Sequence, residues 1–387
     1  MTSKMLLLLA LGLMLAGSVS RAAAGEPIRI GALYNLTGDM APIDGPAMKG
    51  VRLQAKLINA AGGLLQNCRV EVVGIDTRTD LKAAAAAARK ILSQGVVAGI
   101  GYGDTDYVLA AAPPFQDRGV PFVTSGATLP NLPARVGNFL FMAAFGDDDQ
   151  AAAIAEFCCS RLKARSAVMW TDRSMDFAKA LAKFFRQDFS QAGGKIIQEE
   201  FFSSPQDFPG LIAKFKAART RPDLIFVAAG PEVSAQAVKQ VREAAIDVPI
   251  AGGDSFDSEA LIRVPGPKLA HDVYFATHSF EGETRPEVRS FIEAYRQEYG
   301  TPPENAFAAL GFDALGMIAD AIKRAGTTAP LSLRQALAQT KNYPGVTGNI
   351  SYRPSRAPAK PVDIIGVQQG RFQPLWTWSP QRGNHEK

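Results

Sequence analysis

Short apolar runs rich in β-branched residues alternate with helical patterns along almost the whole chain, and this alternation restricts the fold more than any other feature. Residues 28–33 read as a strand; Ala47, Val51, Ala55 and Ile58 then fall on one helical face until Gly62-Gly63 ends it. Residues 70–75 form the next strand and 81–92 an alanine-rich helix stopped by Gly95; 96–100 and 121–124 are further strands, with a short helix at 113–117 between them. Strands that alternate with helices imply βαβ units and a parallel sheet covered on both faces.

The pattern then restarts, with helices at 151–162, 177–192, 207–218 and 234–245 and strands at 167–171, 196–201, 224–228 and 250–251. A strand at 273–276, helices at 286–299, 306–324 and 332–338 and a last strand near 362–367 complete it. The fold class expected is α/β, with two doubly wound parallel-sheet lobes. In such sheets ligand sits beyond the carboxyl ends of the strands. That directs attention to 34–45, 101–107, 124–130, 172–177 and 252–256.

The first residues are a separate object. Lys4, the apolar run 5–16 and Ala22-Ala23-Ala24 have the order of a secretory signal, expected to be cleaved near Ala24. The apolar run is too short to span a bilayer, and Ser18 stands where a lipoprotein leader carries cysteine. A periplasmic, unanchored chain is therefore expected, with a frayed tail at 381–387. Losing Lys4 and Arg21 takes the 42 basic residues to 40 against 37 acidic ones. No basic stretch is interleaved with aromatics, so nothing suggests nucleic acid. Three cysteines are too few for a disulfide framework. Buried thiols, or one bridge from Cys68 to Cys158 or Cys159, remain the alternatives.

Three chemistries are weighed and set aside. Gly99, Gly101 and Gly103 have the wrong register for a dinucleotide loop, which would also belong after the first strand, where "GALYNLTGD" stands. No cofactor is expected. "GDSF" at 253–256 resembles an esterase nucleophile block, but no Asp-x-x-His follows, and His271 and His278 are not an obvious relay. Scattered histidines and the absence of a Cys-x-x-Cys give no metal cluster, and Asp147-Asp148-Asp149 is read as an acidic first turn complementing a helix dipole.

What remains is a polar set at strand ends. Thr105, with the amides after Gly103, and Gly126 to Thr128 in "TSGATLPNL" supply hydroxyls and N–H groups at loop-to-helix junctions, suited to a carboxylate. Asp254 could take an ammonium. Thr128 could equally be an N-cap and Asp254 a carboxylate on a loop surface.

The order of the segments "IRIGALYNLTGDMAPIDGPAMKGVRLQAKLINAAGG", "VPFVTSGATLPNL", "FSSPQDFPGLIAKFKAARTRPDLIFVAAG", "IAGGDSF" and "GVTGNISY" resembles the periplasmic leucine/isoleucine/valine-binding protein family, the type I solute receptors of ABC transporters. The resemblance covers roughly 28–370. It implies three hinge crossings, near 141–145, 274–277 and 346–350, giving one lobe of 25–143 and 277–347 and a second of 144–276 and 348–380. It also implies α-carboxylate contacts from Thr105, Gly126, Ala127 and Thr128, beside Tyr102, an ammonium partner at Asp254, and Ile43 in the side-chain pocket.

Two departures from the family pattern stand out. Asp176-Phe177 occupies a place where Tyr-Gly is common, and Asp104 and Asp106 flank Thr105. Asp176 thus puts a carboxylate where an aromatic contact is common; the added negative charge favours a ligand with a second cationic or strongly hydrogen-donating group, or else Asp104 and Asp106 cap the following helix and never touch ligand. The resemblance implies a monomeric, non-enzymatic receptor that passes an amino acid or close analogue to an ABC permease. A receptor for an amide, urea, aromatic acid or cationic solute, and a doubly wound enzyme, are the alternatives.

Overall fold

A computed structural model describes residues 25–380; the expected signal segment 1–24 and the tail 381–387 lie outside the described residues. The chain opens with β1 (Ile28–Tyr34), α1 (Ala41–Ala60), β2 (Val70–Asp76), α2 (Leu81–Leu92), β3 (Ala98–Gly101), α3 (Thr105–Asp117), β4 (Phe122–Thr124), α4 (Leu132–Val136) and β5 (Leu140–Met142). These five strands form a parallel sheet in the order β2-β1-β3-β4-β5. In β1 only Arg29 is exposed, as a strand covered on both faces requires.

The next stretch adds α5 (Asp147–Ser160), β6 (Ser166–Asp172), α6 (Asp176–Gln191), β7 (Lys195–Phe202), α7 (Phe208–Ala217), β8 (Leu224–Ala228), α8 (Pro231–Glu243), β9 (Ile250–Gly252), α9 (Ala260–Arg263) and β10 (Val273–Thr277). Then follow α10 (Pro286–Tyr299), α11 (Ala306–Ala325), α12 (Pro330–Ala338), β11 (Tyr343–Gly345), β12 (Gly348–Tyr352), β13 (Pro358–Ala359), β14 (Val362–Gln368) and β15 (Arg371–Trp378). The second sheet has seven strands in the order β15-β14-β10-β9-β8-β6-β7. Five run parallel, whereas β14 is antiparallel to both β10 and β15. Its two faces carry separate cores, one around the stacked Phe185 and Phe226 and the other around Trp170 and Phe208.

Three local readings change. The helix expected at 113–117 starts at Thr105, because Asp104 accepts from the Asp106 N–H and caps it. Strand β15 was not anticipated: it is largely exposed and carries Pro374 next to a register shift, an arrangement confined to sheet edges. The third passage between lobes falls at Lys360-Pro361, not within 346–350, since β12 belongs to a small sheet with β11 and β13 and Ile350 packs in the first core. The other passages lie at 143–146 and 278–285, between β5 and α5 and between β10 and α10.

Helix α11 fixes α1, whose first turn faces the cleft. A Cβ at Gly50 would stand 1.9 Å from the Ala308 carbonyl oxygen, and one at Gly311 2.0 Å from that of Ala47, so only glycines allow this approach. Lys360 ties two passages together: its buried Nζ donates to the Ala143 carbonyl at 3.0 Å and to Thr347 Oγ1 at 2.7 Å. Burial pushes this amine down to about 7. The three cysteines are free, with Cys158 and Cys159 buried and Cys68 half-buried. Among the described residues no helix is long and apolar enough to cross a membrane.

Candidate functional site

The carboxyl ends of both parallel sheets face one another, and the loops there close over a cleft of about 10 Å³. The first lobe contributes Met40, Ile43, Gly103, Asp104 and Phe307; the second contributes Met175, Phe177, Gly230, Pro231, Asp254 and Ser255. Apolar walls therefore surround two carboxylates, one from each lobe.

On the first lobe the turn after β3 is held in an uncommon shape. Tyr102 has φ +56, a left-handed conformation that costs a side-chain-bearing residue of order 1 kcal/mol. Asp44 compensates: its carboxylate accepts from the N–H groups of Asn35 (2.9 Å) and Gly103 (2.7 Å), fixing the turn to α1. The Tyr102 carbonyl in turn accepts from the Thr124 hydroxyl and the Gly126 N–H, bracing the loop after β4. The Tyr102 ring packs between Tyr34 and Tyr107 in the lobe's core, so this residue shapes the turn and its side chain does not line the cleft.

Thr105, first residue of α3, is fully buried and its hydroxyl has no hydrogen-bond partner in the protein. Gly126 lies against Phe307: an added Cβ would meet that ring at 2.8 Å and the Gly103 Cα at 3.0 Å. Ala127 donates its N–H to the Thr124 hydroxyl at 3.2 Å. Thr128 offers its carbonyl to the N–H of Asp147 at 2.7 Å, and its side chain stands beside that carboxylate. Ile43 lies in the cleft wall.

The acidic residues of the sequence reading divide. Asp104 lines the cleft while capping α3, and burial pushes its carboxyl up to about 7. Asp106 reaches across to the other lobe, where Oδ2 accepts from the Asp176 N–H at 3.3 Å. Asp176 itself is outside the cleft lining, paired with Lys179 at 2.7 Å and Arg135 at 3.3 Å on the rim.

Asp254 is the carboxylate of the second lobe, and its surroundings were not legible in advance. Its Oδ2 lies 3.0 Å from His278 Nε2, and Gln150 both donates to Oδ1 at 3.4 Å and accepts from the Asp254 N–H at 3.0 Å. Burial raises the carboxyl to about 7 and pushes the His278 imidazole well below its ordinary range. The neutral ring stacks on Phe145 at 3.7 Å between centroids. The hydroxyl of Ser255, the serine of the "GDSF" segment, donates to the Ala229 carbonyl at 2.7 Å. Gln150, His278 and Phe307 were not singled out from sequence, because Gln150 and His278 meet Asp254, and Phe307 reaches the cleft wall, from segments distant along the chain. Among the described residues no group of three or more His, Cys, Asp or Glu is placed to hold a metal ion.

The cleft lining opposes Asp104, at the start of α3 on one lobe, to Asp254 on the other. The space between them is about 10 Å³, room for a single water, so a solute is admitted only when the lobes stand further apart.

Residues 27–371 match the periplasmic binding protein family. The leucine-, isoleucine-, valine-, threonine- and alanine-binding protein of Pseudomonas aeruginosa is 25% identical over 339 residues, 87% of this chain and 89% of that protein. Among solved structures, the branched-chain amino-acid transporter substrate-binding protein LivJ of Streptococcus pneumoniae, in complex with isoleucine, has a TM-score of 0.85 at 29% identity, covering 92% of this chain and all of that one. The leucine-binding protein LivK of Thermotoga maritima has a TM-score of 0.84 at 28% identity, covering 91% of this chain and 99% of that one.

Proposed function

From the premise that this chain belongs to the periplasmic binding protein family, we propose that it binds an amino acid or close analogue between its lobes and delivers it, after export, to an ABC permease. The observation that carries this reading is that both lobes contribute to one apolar-walled cleft, Asp104 at the start of α3 from the first and Asp254 from the second, with the unpartnered buried hydroxyl of Thr105 next to Asp104 in sequence. An α-carboxylate would take the Thr105 hydroxyl and the amides of the α3 start and of Thr128, with the macrodipole reinforcing the contact. The α-ammonium would take Asp254. The three passages between lobes allow hinge closure, and ligand contacts made to both lobes stabilise the closed form. Closure is then the state a permease reads. A monomer suits lobes that must move freely.

The test is a thermal-shift and calorimetric panel on the chain from Gly25 onward, using L-leucine, L-alanine, L-arginine, agmatine, benzoate and acetamide, with Asp254→Asn in parallel. A ligand at about 100 times its Kd adds roughly 2.7 kcal/mol, which is several degrees in Tm. Stabilisation by an α-amino acid, lost in Asp254→Asn, supports the reading. Response to benzoate or acetamide alone sinks it.

A further inference from the structure

The turn after β9 sends two buried carboxylates to two different spaces. Asp254 lines the cleft, whereas Asp257 lines a separate cavity of about 360 Å³. The start of α11 divides in the same way, with Phe307 in the cleft wall and Asn305, Ala306 and Ala309 in the wall of the cavity. Asp257 joins the two elements. Its Oδ2 accepts from the Thr277 hydroxyl and, at 3.1 Å, from the N–H of Ala306, so a carboxylate of the second lobe holds the first amide of a helix in the other.

The cavity takes its apolar wall from both lobes. Val288, Phe291 and Ile292 of α10 supply one part, and Ile365, Phe372 and Pro374 of β14 and β15 supply the other. Phe372 is 38% exposed, an aromatic ring that the fold leaves partly uncovered at this wall. Ligand pockets begin at roughly 300 Å³, so the space suits a ring with a short side chain.

Charge narrows the choice of occupant. Three carboxylates line the cavity, those of Asp257, Glu281 and Glu304, and none of the lining residues is basic. Glu281 is paired with Arg296 and Glu304 with Lys49, both pairs being partly exposed. Asp257 is buried, its hydrogen-bond partners are neutral donors, and both bonds fall on Oδ2, which leaves Oδ1 outside them. Burial raises this carboxyl only to about 6, so it is mainly ionised at neutral pH. An apolar space with that charge repels anions and favours an apolar body bearing a cation.

We propose that this cavity is a second small-molecule site, separate from the cleft, for an aromatic or branched-alkyl body carrying one primary ammonium that pairs with Asp257. Because the walls belong to both lobes, an occupant favours the arrangement in which those walls meet.

The experiment is a thermal-shift and calorimetric comparison of phenethylamine, phenethyl alcohol and phenylacetate on the chain from Gly25 onward at pH 7. The amine is expected to bind about tenfold more tightly than the alcohol, which lacks the charge-assisted bond, and phenylacetate is expected not to bind. Asp257→Asn, nearly isosteric, should bring the amine down to the level of the alcohol, while Asp254→Asn should leave the amine's affinity unchanged. Phe372→Ala removes part of the wall from a partly exposed position and should weaken amine and alcohol together, which keeps the test open should Asp257→Asn not fold. No response of wild type to the amine, binding of phenylacetate as tight as that of the amine, or wild-type affinity in either folded cavity variant overturns the proposal. Loss of the amine's binding in Asp254→Asn, with retention in Asp257→Asn, overturns it by placing the amine in the cleft. None of these outcomes depends on which solute the cleft takes.

Discussion

Arg135 on α4 of the first lobe reaches Asp176 at the start of α6 in the second, Nη1 lying 3.3 Å from Oδ2 at the mouth of the cleft. Together with Asp106 Oδ2 accepting the Asp176 N–H, this pair gives the rim polar contacts that exist only when the lobes meet. Both partners are partly exposed, 43% and 32%, so solvent screens them and the pair is worth at most about 1 kcal/mol. Arg135→Ala is expected to raise the ligand Kd about two- to fivefold at low salt, the difference fading near about 0.5 M NaCl. Equal affinities of variant and wild type at both salt concentrations would rule out a latch.

Thr105→Val separates binding from folding. The hydroxyl has no partner in the protein, so replacing it with a methyl of similar shape should leave Tm unchanged or slightly higher. Ligand affinity should fall about tenfold, because the carboxylate loses a donor in a buried site. A variant that binds as tightly as wild type would remove Thr105 from the cradle.

Gly126→Ala tests the close approach behind the cradle. The new Cβ would press on the Phe307 ring and the Gly103 Cα, so the loop must shift, at a cost of about 1–3 kcal/mol. A lowered Tm with binding lost or severely weakened is expected. Retained Tm and affinity would show that the ring yields freely.

Burial raises the carboxyls of Asp44, Asp104 and Asp254 to about 7. Unfolded carboxyls titrate near ~4, so between about pH 4 and 7 the folded chain holds more protons than the unfolded one and stability declines as pH rises. The contribution is complete below the unfolded value and gone above about 7. Lys360, lowered to about 7, acts in the window above that, where stability gains with rising pH, while buried His278, held well below its unfolded range, opposes the carboxylates between pH 5 and 7, so the Asp→Asn variants isolate the carboxylate share. The ligand-free protein should melt higher at pH 5 than at pH 7, and Asp104→Asn and Asp254→Asn should each flatten the slope. Identical slopes in all three proteins would contradict this.

Much of the architecture was legible because it is local. A strand covered on both faces must be continuously apolar, as in 224–228, where every residue is buried, and an amphipathic helix must repeat every three to four residues. Strand ends follow from those runs, which is why Ile43, Thr105, Gly126 and Asp254 could be assigned from sequence to the segments at the carboxyl ends of strands. Edge strand β15 escaped because its exposed residues need no apolar period, and the third passage was misplaced because a hairpin and a crossing look alike in one dimension.

Side-chain roles inside the site were decided by tertiary structure. Tyr102 turned into the core and Asp176 onto the rim, although both sit in loops at strand ends, because a loop's position is local while its side-chain directions depend on what packs above it. Sequence alone determined which backbone would alternate and where its strands would end, through periodic burial. Only the folded chain brought Gln150, Asp254 and His278 into hydrogen-bonding distance, because their meeting depends on how the chain passes between lobes, which no local pattern encodes.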